Sequence, residues 1–191
     1  FQSWLRVSID IDHFSKPSSV VQTRHGDIIL DEACSSKLYL RGILLPQSSF
    51  KEGGYKYGYK FCYGIPTTSG RRLASTLHES QIICSIWEAA MSQAPEDMVS
   101  RYVDMLRTRP WSLDIALMDD CLTDSTIKRI WKCLALNAGN EEFYYRGSTE
   151  EAIEIRESLR KKPIELPESL WIVLRRQHLI LTAREEINTR A

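Results

Sequence analysis

No apolar run in this chain approaches the ~20 residues that a membrane-spanning helix needs, and no secretory leader is legible. Cysteine is sparse and unpatterned: Cys34, Cys62, Cys84, Cys121 and Cys133 contain no CxxC pair. Their odd number and wide scatter argue against a zinc site and a disulfide framework, so reduced thiols in an intracellular, cytoplasmic protein are expected. Neither charge is in excess, with 25 basic against 25 acidic residues. A generic nucleic-acid binder needs a basic surplus to hold phosphate, so no nucleic acid is expected as a partner, and no membrane. His13, His25, His78 and His178 are dispersed without an HxxxH or HxxE spacing, so no metal site is predicted. There is no GxSxG elbow, no internal repeat and no low-complexity tract.

The chain has 191 residues with 43% apolar content, enough for one sizeable domain or two small ones. Its first third reads as β. Leu5, Val7, Ile9 and Ile11 alternate with polar residues, as a half-buried strand does. The chain opens on Phe1 in what already reads as mid-sheet, which suggests a piece of a longer protein whose functional partner lies upstream. FSKPSS reads as a turn, and a short strand is predicted around Ile28–Leu30. The organising stretch is Lys37–Ser75. Leu38, Leu40, Ile43, Leu44 and Leu45 predict one largely buried strand, and Tyr55, Tyr57, Tyr59 and Phe61 recur at every second residue of another. The SSFKEGG loop between them would make the pair a hairpin. The tyrosine stripe at 55, 57 and 59 is either ordinary sheet packing or a partner surface. The GIPTTSGRR loop that follows presents Arg71 and Arg72, two fixed positive charges suited to a phosphate, or merely solvated.

From Ser75 the character changes to helix. A stripe at 82, 83, 86, 87, 90 and 91 predicts a buried helical face, with Thr76 and Glu79 in capping-box spacing. Pro95 can open a second helix whose stripe includes Met98, Tyr102, Met105 and Leu106, and Pro110 stops it. WSLDIALMDDCL reads equally as a short strand or a helical turn. Thr123 then caps a helix with the stripe Ile127, Ile130, Trp131, Leu134 and Leu136, ended by Gly139. A strand at Phe143–Tyr145, a helix capped by Ser148, an extended PIEL segment, a helix after Pro167 and an exposed, fraying last helix complete the chain. The strand–helix–strand unit from Phe143 to Leu166 could support parallel pairing. The fold class is therefore α+β: a β-rich part over 1–74 and a mainly helical α/β part over 75–191, in one continuous domain or two.

KLYLRGILLP, YKYGYKF and TTSGRRLAS, taken in order, resemble the segment that follows the nucleotide-binding domain in the gyrase, chaperone, histidine-kinase and MutL (GHKL) superfamily of ATP-binding proteins. The likeness is greatest to large, uncharacterised fungal and bacterial members, and FYYRGSTEEAIEIRESLRKKPIELPESLWIVLRR resembles the end of that group. The resemblance implies a transducer-like β-α-β layer. In chaperone-type members such a layer sends an arginine to the γ-phosphate of ATP held in the preceding domain, a role that would fall to Arg71 or Arg72. A guanidinium is permanently charged and grips two phosphate oxygens at once. The turn departs from the family pattern in lacking acidic residues. The Asn-helix, the DxGxG turn and the glycine-rich lid are also absent, so ATP and Mg would be held upstream and this chain alone would bind no cofactor and hydrolyse nothing. The implied partner is the upstream ATP-binding domain of the same protein, and a homodimer stays open. The competing expectation is a protein-interaction or scaffold domain with no nucleotide role.

Overall fold

The computed structural model describes residues 16–45, 54–63, 76–115 and 121–190. Five short strands form one mixed sheet in the order β1-β2-β5-β3-β4. They are β1 (Val20–Thr23), β2 (Gly26–Ile29), β3 (Leu38–Leu40), β4 (Ile43–Leu44) and β5 (Gly58–Phe61). β1 was hidden in the sequence, because VVQT is too short to show an alternation. The stretch expected to be one strand over 38–45 is two. Arg41 and Gly42 both have positive φ, 51° and 84°, as a tight two-residue hairpin loop requires. The organising pair is also not a hairpin. β5 lies between β2 and β3, antiparallel to the first and parallel to the second. The alternating strand predicted at 5–11 lies outside the described residues.

Helices cover one face of this sheet. α1 (Thr76–Gln93) and α2 (Pro95–Thr108) are separated by Ala94 alone. Pro95 forces Ala94 out of the helical region, to φ −132° and ψ 69°, and the chain turns there. Every residue of the predicted α1 stripe is buried: Ile82, Ile83, Ile86, Trp87, Ala90 and Met91. The predicted α2 stripe of Met98, Tyr102, Met105 and Leu106 is buried too. Each large side chain so enclosed stabilises the fold by about 1.5–3 kcal/mol. β5 and α1 come so close to β2 that a Cβ on Gly26 would lie 2.5 Å from the Lys60 carbonyl oxygen of β5 and 2.7 Å from Ile86 Cδ1 of α1. Glycine is the residue that permits that approach. The opposite sheet face carries a smaller cluster around Ile29 and Tyr39.

A 3-10 turn covers Leu113–Ile115 of the ambiguous WSLDIALMDDCL segment, whose residues 116–120 lie outside the described residues. α3 (Asp124–Ala138) is capped by Thr123, whose hydroxyl accepts from the Thr126 amide at 3.3 Å, and it ends at Gly139. Ile127, Ile130 and Leu134 of its predicted stripe are buried, but Leu136 is 74% exposed. β6 (Glu142–Tyr145), α4 (Thr149–Glu154) and β7 (Lys162–Glu165) form the expected parallel unit. α4 widens into a π-turn over Ile155–Leu159, where Arg160 at φ 55° ends it. α5 (Glu168–Arg176) follows Pro167, and α6 (Ala183–Arg190) closes the chain. α6 is less exposed than its sequence suggests: Ala183 is fully buried against Ile155 and Leu159. One hydrophobic cluster runs from Ile28 and Tyr59 through Trp87 and Met105 to Leu134, Leu170 and Ile180. The β-rich and helical parts thus share a core.

Candidate functional site

Arg71 and Arg72 lie outside the described residues. Before their segment comes β5, the central strand of the sheet, and after it α1. Tyr55, Tyr57 and Tyr59 are 4%, 8% and 0% exposed. They form no partner surface. Their rings are sheet packing, because the face they share is the one that α1 and α2 cover.

That packing is polar as well as aromatic. Trp87 of α1 donates its indole N–H to the Tyr59 hydroxyl at 2.9 Å. Its ring lies 5.7 Å from Tyr57 and 5.1 Å from Tyr102, centroid to centroid, distances at which tilted aromatic pairs attract. The Tyr59 hydroxyl in turn donates to Asp114. Asp114 is almost completely buried and also accepts from the Lys56 amide at 2.7 Å, the Tyr57 amide at 3.4 Å and the Ser112 hydroxyl. Burial pushes the Asp114 carboxyl above its usual range, while the donors from Ser112, Tyr59, Lys56 and Tyr57 pull the other way. Desolvation, with the Asp114 charge beside it, pushes the Tyr59 phenol well up, so it is a donor throughout the physiological range. One carboxylate thus ties the start of β5 to the turn after α2.

A second buried carboxylate sits at the start of α1. Glu79 is 8% exposed and accepts from the Tyr55 hydroxyl at 2.5 Å. Read from the sequence as a capping-box acid, it is a core group, because the Tyr55 ring comes up beneath the first turn. The Tyr55 phenol is raised by burial and then by this bond. Tyr55 and Tyr59 meet edge to face at 5.7 Å, so the two carboxylate sites adjoin. The Tyr55–Glu79 bond therefore closes the chain on itself across the segment that carries Arg71 and Arg72. The side chain of Thr76, the other half of the expected capping box, lies outside the described residues.

Sequence reasoning passed over Asp114. Its signal was there: an acid flanked by Leu113 and Ile115 in an otherwise apolar segment must be paired if it is buried. Asp119 and Asp120 lie outside the described residues. Among the described residues no group of histidine, cysteine or carboxylate side chains has the arrangement of a metal site. The basic run at 160–162 is divided among separate tasks. Arg160 ends the π-turn, Lys161 lies over the Phe143 ring at 6.0 Å, and Lys162 opens β7 at 3.8 Å from Glu142.

Cysteine chemistry also departs from expectation. Cys84 of α1 and Cys121, just ahead of α3, form a disulfide, while Cys34, Cys62 and Cys133 are free. The scattered numbering concealed this pairing because only the packing of α1 against the entry to α3 brings the two Cα atoms to 6.2 Å.

A groove of about 710 Å³ opens at the carboxyl ends of β6 and β7, lined by Arg146, Ser148, Glu165, Glu168 and Trp111. Trp111 is 67% exposed. Among the described residues no helix is long and apolar enough to cross a membrane. Comparison with protein-family models, curated proteins and solved structures returned no match.

Proposed function

We propose that this chain is a non-catalytic module of a larger GHKL-type ATPase, intracellular, which senses nucleotide held by an upstream domain and converts it into a change of orientation. The observation that carries this reading is the buried Tyr55–Glu79 hydrogen bond. It joins the residues just ahead of β5, before the arginine segment, to the helix after it. A pull on Arg71 or Arg72 would then reach β5 and α1 together, and through Trp87, Tyr59 and Asp114 the rest of the core. A flexible loop on a frayed helix could transmit little; a loop held at both ends by buried polar bonds can transmit strain. The order of the three resembling motifs supports the same reading. Arg71 and Arg72 are the proposed contacts to the nucleotide phosphates, and ATP and Mg belong to the upstream domain, which is the proposed partner. In this reading the metal belongs to the upstream domain alone, and no nucleic acid takes part.

The test is ATP turnover by the parent protein with Arg71 and Arg72 both changed to alanine. The expected loss is on the order of 10³-fold, the scale of an arginine that stabilises phosphoryl transfer, with the fold intact by circular dichroism. Turnover equal to the wild type rejects the assignment. Calorimetry with an ATP analogue complements it: binding is expected for a chain extended upstream by one domain, and not for this chain alone.

The exposed Trp111 favours a second reading, a protein-interaction domain with no nucleotide role. The tyrosine stripe cannot serve it, being buried. Absence of nucleotide binding by both chains, with a partner captured through the groove beside Trp111, would establish it.

A further inference from the structure

The Cys84–Cys121 pair differs in setting from the other thiols. Cys84 lies on the core side of α1 and is 4% exposed. Cys121 is half-buried and lines an open groove of about 620 Å³ between α1 and the entry to α3, which it shares with Arg24, His25, Glu88 and Thr123. Cys121 is therefore the member of the pair that faces the groove, and Cys84 the member enclosed in the core. Glu88 is occupied at the same junction: its carboxylate accepts from the Thr123 amide at 3.2 Å and from the Thr123 and Thr126 hydroxyls at 2.9 Å each. Arg24, which donates to the His25 ring at 2.9 Å, also lines the groove. The three remaining thiols, Cys34, Cys62 and Cys133, are free. Of these, Cys62 is exposed.

We propose that Cys84 and Cys121 are a reversible redox modification site whose oxidant is a hydroperoxide. This goes beyond the nucleotide reading and does not depend on it. The Cys121 thiolate attacks the peroxide oxygen. An S–O bond forms as the O–O bond breaks, and hydroxide, or the alkoxide of an organic peroxide, departs. The resulting Cys121 sulfenic acid is then attacked by the Cys84 sulfur. The S–S bond forms, the S–O bond breaks, and the hydroxyl leaves as water with the Cys84 proton. The two thiols are oxidised by two electrons and the peroxide is reduced by two. A thiol reductant reverses the step through a mixed disulfide on the groove-facing Cys121 sulfur.

The consequence is mechanical. Oxidised, the pair clamps the middle of α1 to the start of α3. Reduced, that junction keeps the Glu88 hydrogen bonds to Thr123 and Thr126. The bridge closes a loop with a sequence separation of 37, so its loss should lower the melting temperature by roughly 10 °C.

The experiment takes the whole chain, reduces it with dithiothreitol, removes the reductant and titrates with hydrogen peroxide. Remaining thiols are alkylated and mapped by mass spectrometry. The expected result is a linked Cys84–Cys121 peptide at about one equivalent of peroxide, with Cys34, Cys62 and Cys133 still alkylated and full reversal by dithiothreitol. Two variants assign the order of events without requiring the disulfide. Cys84→Ser should accumulate a Cys121 sulfenic acid that dimedone traps, and Cys121→Ser should leave Cys84 unoxidised at the same dose. The proposal is overturned if Cys62 or Cys133 oxidises before the pair, if Cys84 and Cys121 both remain alkylatable after peroxide, or if the Cys121→Ser chain traps dimedone at Cys84.

Discussion

In the five-stranded sheet the decisive polar groups lie inside, whereas in the β6–α4–β7 unit and the helices after it they lie at the rim. Asp114 and Glu79 are buried carboxylates with donors from strand, helix and turn converging on them. Glu142, Glu168 and Glu185 are at least partly solvated carboxylates, paired with Arg107, Arg146 and Arg175. The difference teaches where each region can yield. A buried carboxylate with several donors has one satisfactory geometry, since each lost donor leaves desolvated charge. A surface ion pair can be exchanged for water at small cost. The first region is thus built to move as a body, and the second to adjust in parts.

The largest expected effect breaks the inner network. Asp114→Ala leaves the amides of Lys56 and Tyr57 and the hydroxyls of Tyr59 and Ser112 without their acceptor. It should cost about 3–5 kcal/mol in urea unfolding. A loss below about 1 kcal/mol, the scale of a surface pair, would place Asp114 on the same footing as the rim carboxylates. Next comes Tyr55→Phe, which keeps the ring and removes one donor from Glu79. The expected cost is about 1–3 kcal/mol, with faster amide exchange in the first turns of α1. Unchanged exchange there would detach α1 from the residues just ahead of β5.

Much of the helical half was legible, because periodicity over 14 to 18 residues is a strong signal. The α1 and α2 stripes, the Thr123 and Ser148 caps and the parallel β6–β7 unit all stand where the pattern put them. The short strands were legible in part. Residues 55–61 alternate clearly, but 38–45 conceals a turn at Arg41 and Gly42, and nothing local tells β3 to pair in parallel with β5. Pairing depends on what the helices cover, which is a property of the assembled layer. The inner carboxylates were missed for the same reason. Asp114 had only the weak signal of an acid between Leu113 and Ile115, Glu79 read as a capping-box acid, and the convergence of remote donors makes both core groups. Leu136 shows the opposite error: it continues a stripe by spacing, yet it faces solvent.

Between the two regions stands one intermediate case. Arg107, near the end of α2, donates to both oxygens of Glu142 at 3.0 and 2.7 Å, and the Glu142 side chain is only 14% exposed. Arg107→Ala should cost about 1–2 kcal/mol, more than an open surface pair and less than an inner one. The loss should be halved or more in a Glu142→Gln background, since the double-mutant cycle isolates their mutual term. Additive losses would show that α2 and β6 are joined by apolar contact and not by this pair.

The smallest effect concerns the rim alone and is read by pH. The Glu185 carboxylate is held down to about 2, first by the Arg175 guanidinium at 2.5 Å and then by the Thr182 amide. Its ordinary value is 4.5. The folded-state value is thus the lower one, so the bond contributes fully above pH 4.5 and its contribution is lost as pH falls toward about 2. Arg175 also donates to the Ile180 carbonyl at 2.9 Å, so the same titration should loosen the turn between α5 and α6. Amide exchange across 180–190 should therefore rise between pH 4.5 and 2 ahead of exchange in α1. Adding salt at neutral pH should shift it in the same direction, because the pair is partly open to solvent. Glu185→Gln should remove this pH dependence while leaving α1 untouched. Simultaneous opening of α6 and α1 would instead mean that the rim and the inner network unfold as one unit.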